Sequence, residues 1–458
     1  MLLRTKLFGK NYEFADIRVL MGKANEEKSG DRLAGLAADT TVERAAAKIV
    51  LGHVPLITLR QNPAVAYDQD EVTRVIDDGI DSAVYEQIKG WTVGELREFI
   101  LDDRNDGERL LKISPGLTAE MIAAVTKIMS NMDLVTAARK IRVIRHCVNT
   151  IGEEGTLAGR LQPNHPTDSP EGIRASIYEG LSYGVGDAVI GINPADDSYS
   201  SVARLLDMSY EVIQAHKIPT QNCVLAHITT QMRCLEKGSP VGLMFQSISG
   251  SQKGNEAFGI SVGLLDEAYA LAKKNCYPLG PNFMYFETGQ GSALSAEAHN
   301  GWDQLTLEAR NYGLAKRYDP FMVNTVVGFI GPEYLYDTNQ IHRAGLEDHF
   351  MGKMSGISMG CDVCYTNHAK TDQNASENLA VLLTAAGCNF FMGVPMADDS
   401  MLAYQSTSFH DIATLRATFR LHPAPEFAEW LESFGITNQS RFTSRAGDAT
   451  IFLNRTSK

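Results

Sequence analysis

The chain of 458 residues is short of cysteine, with only seven, at 147, 223, 234, 276, 361, 364 and 388. An odd number spread this thinly excludes a disulfide framework and reads as reduced thiols buried as small apolar side chains. Long apolar runs are missing as well. No stretch approaches the ~20 residues of a membrane-spanning helix, and Met1-Leu2-Leu3-Arg4-Thr5-Lys6 lacks the apolar core of a signal peptide. The expectation is a soluble, cytoplasmic protein without a membrane partner. Basic charge is in deficit, 42 Lys and Arg against 55 Asp and Glu for a net −13. That argues against nucleic acid, whose binders need a basic face, and mildly favours capture of a small cation.

Several signatures are absent too. No G-x-G-x-x-G lies at a strand-to-helix turn, no P-loop lysine follows a glycine-rich loop, and no H-E-x-x-H helix is present. What remains is ordinary globular material, 44% hydrophobic and 21% charged, with ample apolar residues for a large core.

The first third reads as helical. Thr40 with Glu43, and Thr92 with Glu95, have capping-box spacing. Thr118 opens a stripe of Met121, Ile122, Val125, Ile128, Met129 and Met132 on one helical face. From about residue 150 short β-branched or aromatic runs recur: Thr156–Leu161, Ala188–Ile192, Val224–Ile228, Gly242–Phe245, Phe283–Phe286, Val323–Ile330, Gly356–Met359 and Cys388–Gly393. Helical segments such as Ser201–His216 and Ser376–Ala386 lie between most of them, which implies parallel strands joined by crossovers. Eight strand–helix units over residues 156–393 fit the ~250 residues of a (β/α)8 barrel better than an open sheet without a dinucleotide fingerprint. Phe427, Trp430, Leu431 and Phe434, followed by Gly435, predict a final packing helix before a polar tail. The expected fold is therefore α/β, a TIM-type barrel over 151–420, with a mainly helical extension over 1–150 and a C-terminal helix and tail over 421–458.

In a barrel, chemistry collects where strands end. The tips carry Arg160 and Gln162, then Asn193, His227, Gln246, Glu287, Glu333, Asp362, and Asp398-Asp399. Glu287 and Asp362 with Arg160, Gln162 and Asn193 form a set suited to a small polar molecule. An ammonium offers three donors to acceptor-only carboxylates, and a hydroxyl suits the Arg and the amides. Each could instead satisfy backbone at the barrel rim. Cys361-x-x-Cys364 with His368 and perhaps Cys388 keeps a zinc-dependent barrel enzyme open as an alternative, though buried thiols are the more frequent outcome. A non-catalytic scaffold is a further alternative. Gly289-Gln290-Gly291-Ser292 is either a tight turn or a close approach to a bulky ligand. Glu347-Asp348-His349-Phe350-Met351-Gly352 is one position away from the D-x-H-x-x-G segment of some cobalamin proteins, and reads as a helix or loop histidine.

Longer strings carry a resemblance. Gly159–Asn164, Tyr178–Asp187, Tyr285–Ser295, Asn324–Tyr336 and Gly356–Asp362 resemble the large subunit of ethanolamine ammonia-lyase, and the likeness runs essentially from end to end. It implies an adenosylcobalamin-dependent radical lyase that converts ethanolamine to acetaldehyde and ammonia. It also implies a separate small subunit, assembly into a hetero-oligomer, and a location in the cytoplasm or a bacterial microcompartment. Carried over by position, Glu287 contacts both substrate ends, Asp362 and Gln162 hold the amino end, and Arg160 and Asn193 hold the hydroxyl. Arg160, Glu287 and Asp362 take the catalytic roles. Phe329 becomes an apolar wall, and Pro194, Gln246, Ser295 and Met401 become cofactor contacts. Cobalt keeps the cofactor's own lower ligand, so no side chain is expected to bind metal.

Overall fold

The computed structural model describes residues 3–277 and 280–455. Eight parallel strands follow one another with helices between them, as the alternating pattern predicts. They are β1 (Ala158–Leu161), β2 (Val189–Ile192), β3 (Asn222–Val224), β4 (Met244–Ser247), β5 (Met284–Thr288), β6 (Met322–Val326), β7 (Met359–Asp362) and β8 (Phe390–Val394). The crossover helices are α1 (Pro170–Ser182), α2 (Tyr199–His216), α3 (Ile228–Glu236), α4 (Val262–Asn275), α5 (Gln304–Ala315), α6 (Thr338–Met354), α7 (Gln373–Ala385) and α8 (Phe409–Phe419).

Neighbouring strands pair in the order β3-β2-β1-β8-β7-β6-β5-β4, all parallel. The seam between β3 and β4 is held just before β4, where Leu243 N donates to Asn222 O at 3.0 Å and Gly242 N to Asn222 Oδ1 at 2.9 Å. The barrel is thus nearly closed, a (β/α)8 architecture. A short strand, Thr407–Ser408, adds in parallel to β8 before α8 begins.

Strand alternation sorts the side chains. Ala158, Val189, Cys223, Phe245, Tyr285, Met322 and Phe390 pack together in an apolar cluster inside the barrel. Gly360 is required here: a Cβ would meet the Phe390 ring at 2.1 Å, so the ring occupies the space a side chain on β7 would take. One alternation further along, the inward positions turn polar: Arg160, Glu287, Asn324 and Asp362. That switch from apolar floor to polar layer places a site at the strand ends.

Several boundaries differ from expectation. The sixth run ends at Val326, so Val327–Ile330 is loop. The third strand closes at Val224, because His227 already caps α3 by accepting from Thr229 N. The seventh strand lies three residues later than expected, so Asp362 ends the strand itself. The stripe after Thr118 is broken. One helix stops at Lys127 and another, Asn131–Lys140, starts from a capping box of Ser130 and Asp133, leaving Met132 66% exposed. Thr92 and Glu95 make the full box. Glu43 instead turns its carboxylate to Asp39 N, while Thr40 caps alone.

The final helix, Pro425–Phe434, buries the four residues expected, with Gly435 at φ 71° closing it. The tail is not merely polar: Phe452 is fully buried, with ring centroids 5.6 Å from Phe434 and 6.1 Å from Trp430.

Candidate active site

Arg160, Gln162, Asn193, Glu287 and Asp362 line one cavity of about 180 Å³ at the C-terminal end of the strands. Ile248, Val326, Phe329, Ile330 and Leu402 supply its apolar walls. The five polar residues come from β1, β2, β5 and β7 or the residue just past them, so the barrel brings together groups that are far apart in sequence.

Glu287 is held by one oxygen. Oε1 accepts from Tyr285 Oη at 2.5 Å and from Asn324 Nδ2 at 3.3 Å, and lies 3.5 Å from Arg160 Nη1. Oε2 is left for a ligand. Arg160 is almost fully buried over the Tyr285 ring, 5.6 Å from its centroid. Its Nε and Nη2 have no hydrogen-bond partner among the described residues, although buried guanidinium donors are costly to leave unpaired.

Asp362 accepts from Ser406 Oγ. Burial pushes its carboxyl up to about 7, with Arg160 pulling the other way and Glu287 and Asp399 adding to the rise. Gln162 donates its amide to Asp399 Oδ2 at 2.7 Å and to Tyr404 Oη at 3.1 Å. Its Oε1, together with Asn324 Oδ1, is buried without a partner among the described residues. The cavity therefore presents acceptors (Glu287, Asp362, Gln162) and unspent donors (Arg160), which matches a small molecule with a cationic and a hydroxyl end.

The other expected residues lie around this face without lining the cavity. Pro194 is half-buried in the loop after β2, and Met401 is half-buried in the loop after β8. Ser295 is exposed at the end of a short helix after β5, its hydroxyl donating to Ser292 O. Gln246, near the end of β4, accepts from Ile228 N at 3.0 Å, so its amide is partly spent on the start of α3.

His227 is satisfied at the rim by Thr229 and by Phe258 O. Gln290 turns away from the cavity to Glu347 and Asp348. In the same turn Gly291 sits at φ 100°, and a Cβ there would lie 2.7 Å from Tyr334. His349 is in α6, buried, and desolvation holds it well below its usual pKa as neutral imidazole.

The zinc alternative does not assemble. Cys361 and Cys364 are fully buried while His368 is exposed, and no group of three or more His, Cys, Asp or Glu able to hold a metal occurs among the described residues. Burial pushes the Cys361 and Cys364 thiols well up, so neither is a ready thiolate. Two G-x-S-x-G strings, Gly180–Gly184 and Gly356–Gly360, make no hydrolase elbow: Ser182 ends α1 and Ser358 precedes β7.

Residues absent from the sequence reading of the site are Tyr285, Asn324, Tyr404, Ser406, Asn164 and Asp399. Asp399 stood at a strand tip and was legible as polar rim. Tyr285 and Asn324 looked like ordinary interior strand positions; Tyr285 lies two residues before Glu287 on the same face of β5, and only the strand register sets Asn324 beside Glu287.

The sequence matches the family model of the ethanolamine ammonia lyase large subunit (EutB) over residues 12–445. It is 56% identical over 453 residues to the ethanolamine ammonia-lyase large subunit of Escherichia coli (strain K12), covering 99% of this chain and 100% of that one. The chain belongs to the ethanolamine ammonia-lyase large-subunit family. The Salmonella typhimurium large subunit is 55% identical over the same length. No helix among the described residues is long and apolar enough to cross a membrane.

Proposed function

We propose that this chain is the catalytic large subunit of an ethanolamine ammonia-lyase, converting ethanolamine to acetaldehyde and ammonia with adenosylcobalamin. The observation that supports it most is the convergence of Arg160, Gln162, Asn193, Glu287 and Asp362 on one cavity with buried polar atoms left unpaired. Asp362, Glu287 Oε2 and Gln162 Oε1 bind the ammonium, while Arg160 and Asn193 bind the hydroxyl. Migration of an amino group needs tight positioning and electrostatic support more than a strong nucleophile, and this set supplies both. The carboxylates, held in place, keep the ammonium within reach of negative charge as it moves, and the Arg160 donors stabilise charge growing on oxygen. Apolar walls at Ile248, Val326 and Phe329 keep water from the reacting carbons.

Phe329, Leu402 and Met396, on the loops after β6 and β8, are exposed to 40%, 37% and 74%, and this apolar rim supports a broad cofactor of mixed polarity seated at the cavity mouth. Pro194, Gln246, Ser295 and Met401 stand around the same face and would hold the cofactor there. When bound, adenosylcobalamin would supply the hydrogen-atom abstraction. We further infer a separate small subunit covering this face, assembly of the pair into a hetero-oligomer, and a cytoplasmic or microcompartment location.

The test is to combine the purified chain with its small subunit, adenosylcobalamin and ethanolamine, and to measure acetaldehyde. Acetaldehyde formation dependent on all three additions is expected; none from a correctly assembled complex would overturn the reading.

A further inference from the structure

We propose that Asp399 is a positioning residue that sets the polarity of the amino-end pocket, by compelling Gln162 to turn its acceptor oxygen toward the ligand. This deepens the reading of the cavity as an aminoalcohol site and rests on it.

Asp399 follows β8 and is only 3% exposed. Every side-chain contact it makes is with a donor. Oδ2 accepts from Gln162 Nε2 at 2.7 Å and Asn164 Nδ2 at 2.8 Å, and Oδ1 accepts from Met401 N at 2.9 Å and Leu402 N at 2.7 Å. An ionised carboxylate can only accept, so neither amide can face it with oxygen. Gln162 must therefore spend its NH2 on Asp399 and Tyr404, and its Oε1 is left buried and unpartnered on a residue that lines the cavity.

The same logic fixes Asn164. Its NH2 goes to Asp399, and its Oδ1 accepts from the backbone N of Asn193 at 2.8 Å, which holds the hydroxyl-end residue. The two backbone donors come from the loop that carries Leu402 into the cavity wall. One carboxylate thus ties the amino-end acceptor, the hydroxyl-end backbone and a wall of the cavity together. Without it Gln162 could flip and present NH2 donors to an ammonium, which would repel it.

The prediction concerns selectivity. Ethanolamine carries an ammonium where ethylene glycol carries a hydroxyl that can itself accept. In Asp399→Asn an amide replaces the acceptor-only group and the flip becomes available. Calorimetric binding of each compound to the complex with the small subunit is expected to show ethanolamine weakened about tenfold or more. Ethylene glycol should weaken much less, so the affinity ratio falls. Asp399→Glu keeps an acceptor-only group and is expected to keep the ratio; Tyr404→Phe removes only the second Nε2 partner and should change the ratio less than about threefold.

Equal weakening of both ligands in Asp399→Asn would overturn the proposal, as would an unchanged ratio, or loss of the ratio in Asp399→Glu. If Asp399→Asn fails to assemble, the Glu and Phe variants decide alone. Because binding is read without turnover, a wild-type complex that binds selectively but makes no acetaldehyde refutes the catalytic reading and leaves this one standing.

Discussion

Asp362 is 2% exposed at the end of β7, and burial pushes its carboxyl up to about 7 against the pull of Arg160 and Ser406. An unfolded aspartate titrates near about 3.9. Below that value the group is protonated in both states and contributes nothing to the pH dependence of stability. Between it and about 7 the folded state holds a proton that the unfolded state has lost, so stability falls as pH rises, and above about 7 the whole cost is present. The group that binds an ammonium therefore weakens the empty protein at the pH where it works. Asp362→Asn is expected to lose turnover by about a hundredfold or more. It should also melt at a higher temperature than wild type at pH 8, with the difference shrinking toward pH 4. Equal melting temperatures at both pH values would show that the carboxyl is not desolvated as described. In wild type, kcat/KM for ethanolamine should decline about tenfold per pH unit below about 7, because a protonated Asp362 cannot clamp a cation. Glu287→Gln should also impair turnover with the fold intact; near-normal rates in both variants would sink the clamp. Glu287 and Asp362 were legible from sequence as strand-tip carboxylates, and their partners were not. Tyr285 and Asn324 act from strand interiors, where a polar residue gives no sign of which neighbour it serves until the register is known.

At the scale of elements, the eight strands lie within a few residues of where apolar runs placed them, and the errors share a cause. Parallel strands in a covered barrel read as continuous apolar stretches, so an end is visible only if the following loop is polar. After β6 it is not. Val327, Phe329 and Ile330 belong to the loop and line or flank the cavity, so the run is extended past its true end. The helical preface was misread for a related reason: Ser130 caps a new helix inside one apparent stripe. Charges on helices mislead most, since a lone lysine usually signals a solvated face. Lys127 is fully buried instead, 2.5 Å from Asp303, which caps α5 by accepting from Thr306 N. Asp31, whose carboxyl burial and Asp303 push up to about 6, accepts from Gln304 N in the same place. Lys127→Met would leave Asp303 buried without its ion-pair partner and beside a second buried acid, Asp31. It is expected to destabilise the chain by about 3–5 kcal/mol, measured as a lower denaturation midpoint in urea at pH 7.5. A loss under about 1 kcal/mol would mean that solvent or another cation reaches Asp303.

On the scale of the whole molecule, the change of pattern near residue 150 suggests a separable preface, and the packing argues for a different relation. Lys28 pairs with Glu347 at 2.8 Å, and Arg310 with Asp70 and Glu120 at 2.9 and 2.7 Å, all of them buried. Arg343 of α6 donates to Thr126 O and Asn131. Gly313 of α5 leaves so little room that a Cβ would lie 2.7 Å from Ile76. Every one of these contacts joins the first 150 residues to α5 or α6, on the side of the barrel behind β5–β7, where Glu287 and Asp362 stand. Removing the preface would strip partners from Asp303, Arg310, Arg343 and Glu347 together and uncover the apolar face between them. Each Å² of apolar face uncovered costs about 25 cal/mol, while a domain's whole stability is about 5–15 kcal/mol. We therefore propose that the barrel does not fold without the preface. A chain beginning at Ile151 is expected to be insoluble or to lack a near-ultraviolet circular dichroism signal. Recovery of a soluble, cooperatively melting species from it would show that the two regions are independent, and that the ion pairs between them only fasten one finished domain to another.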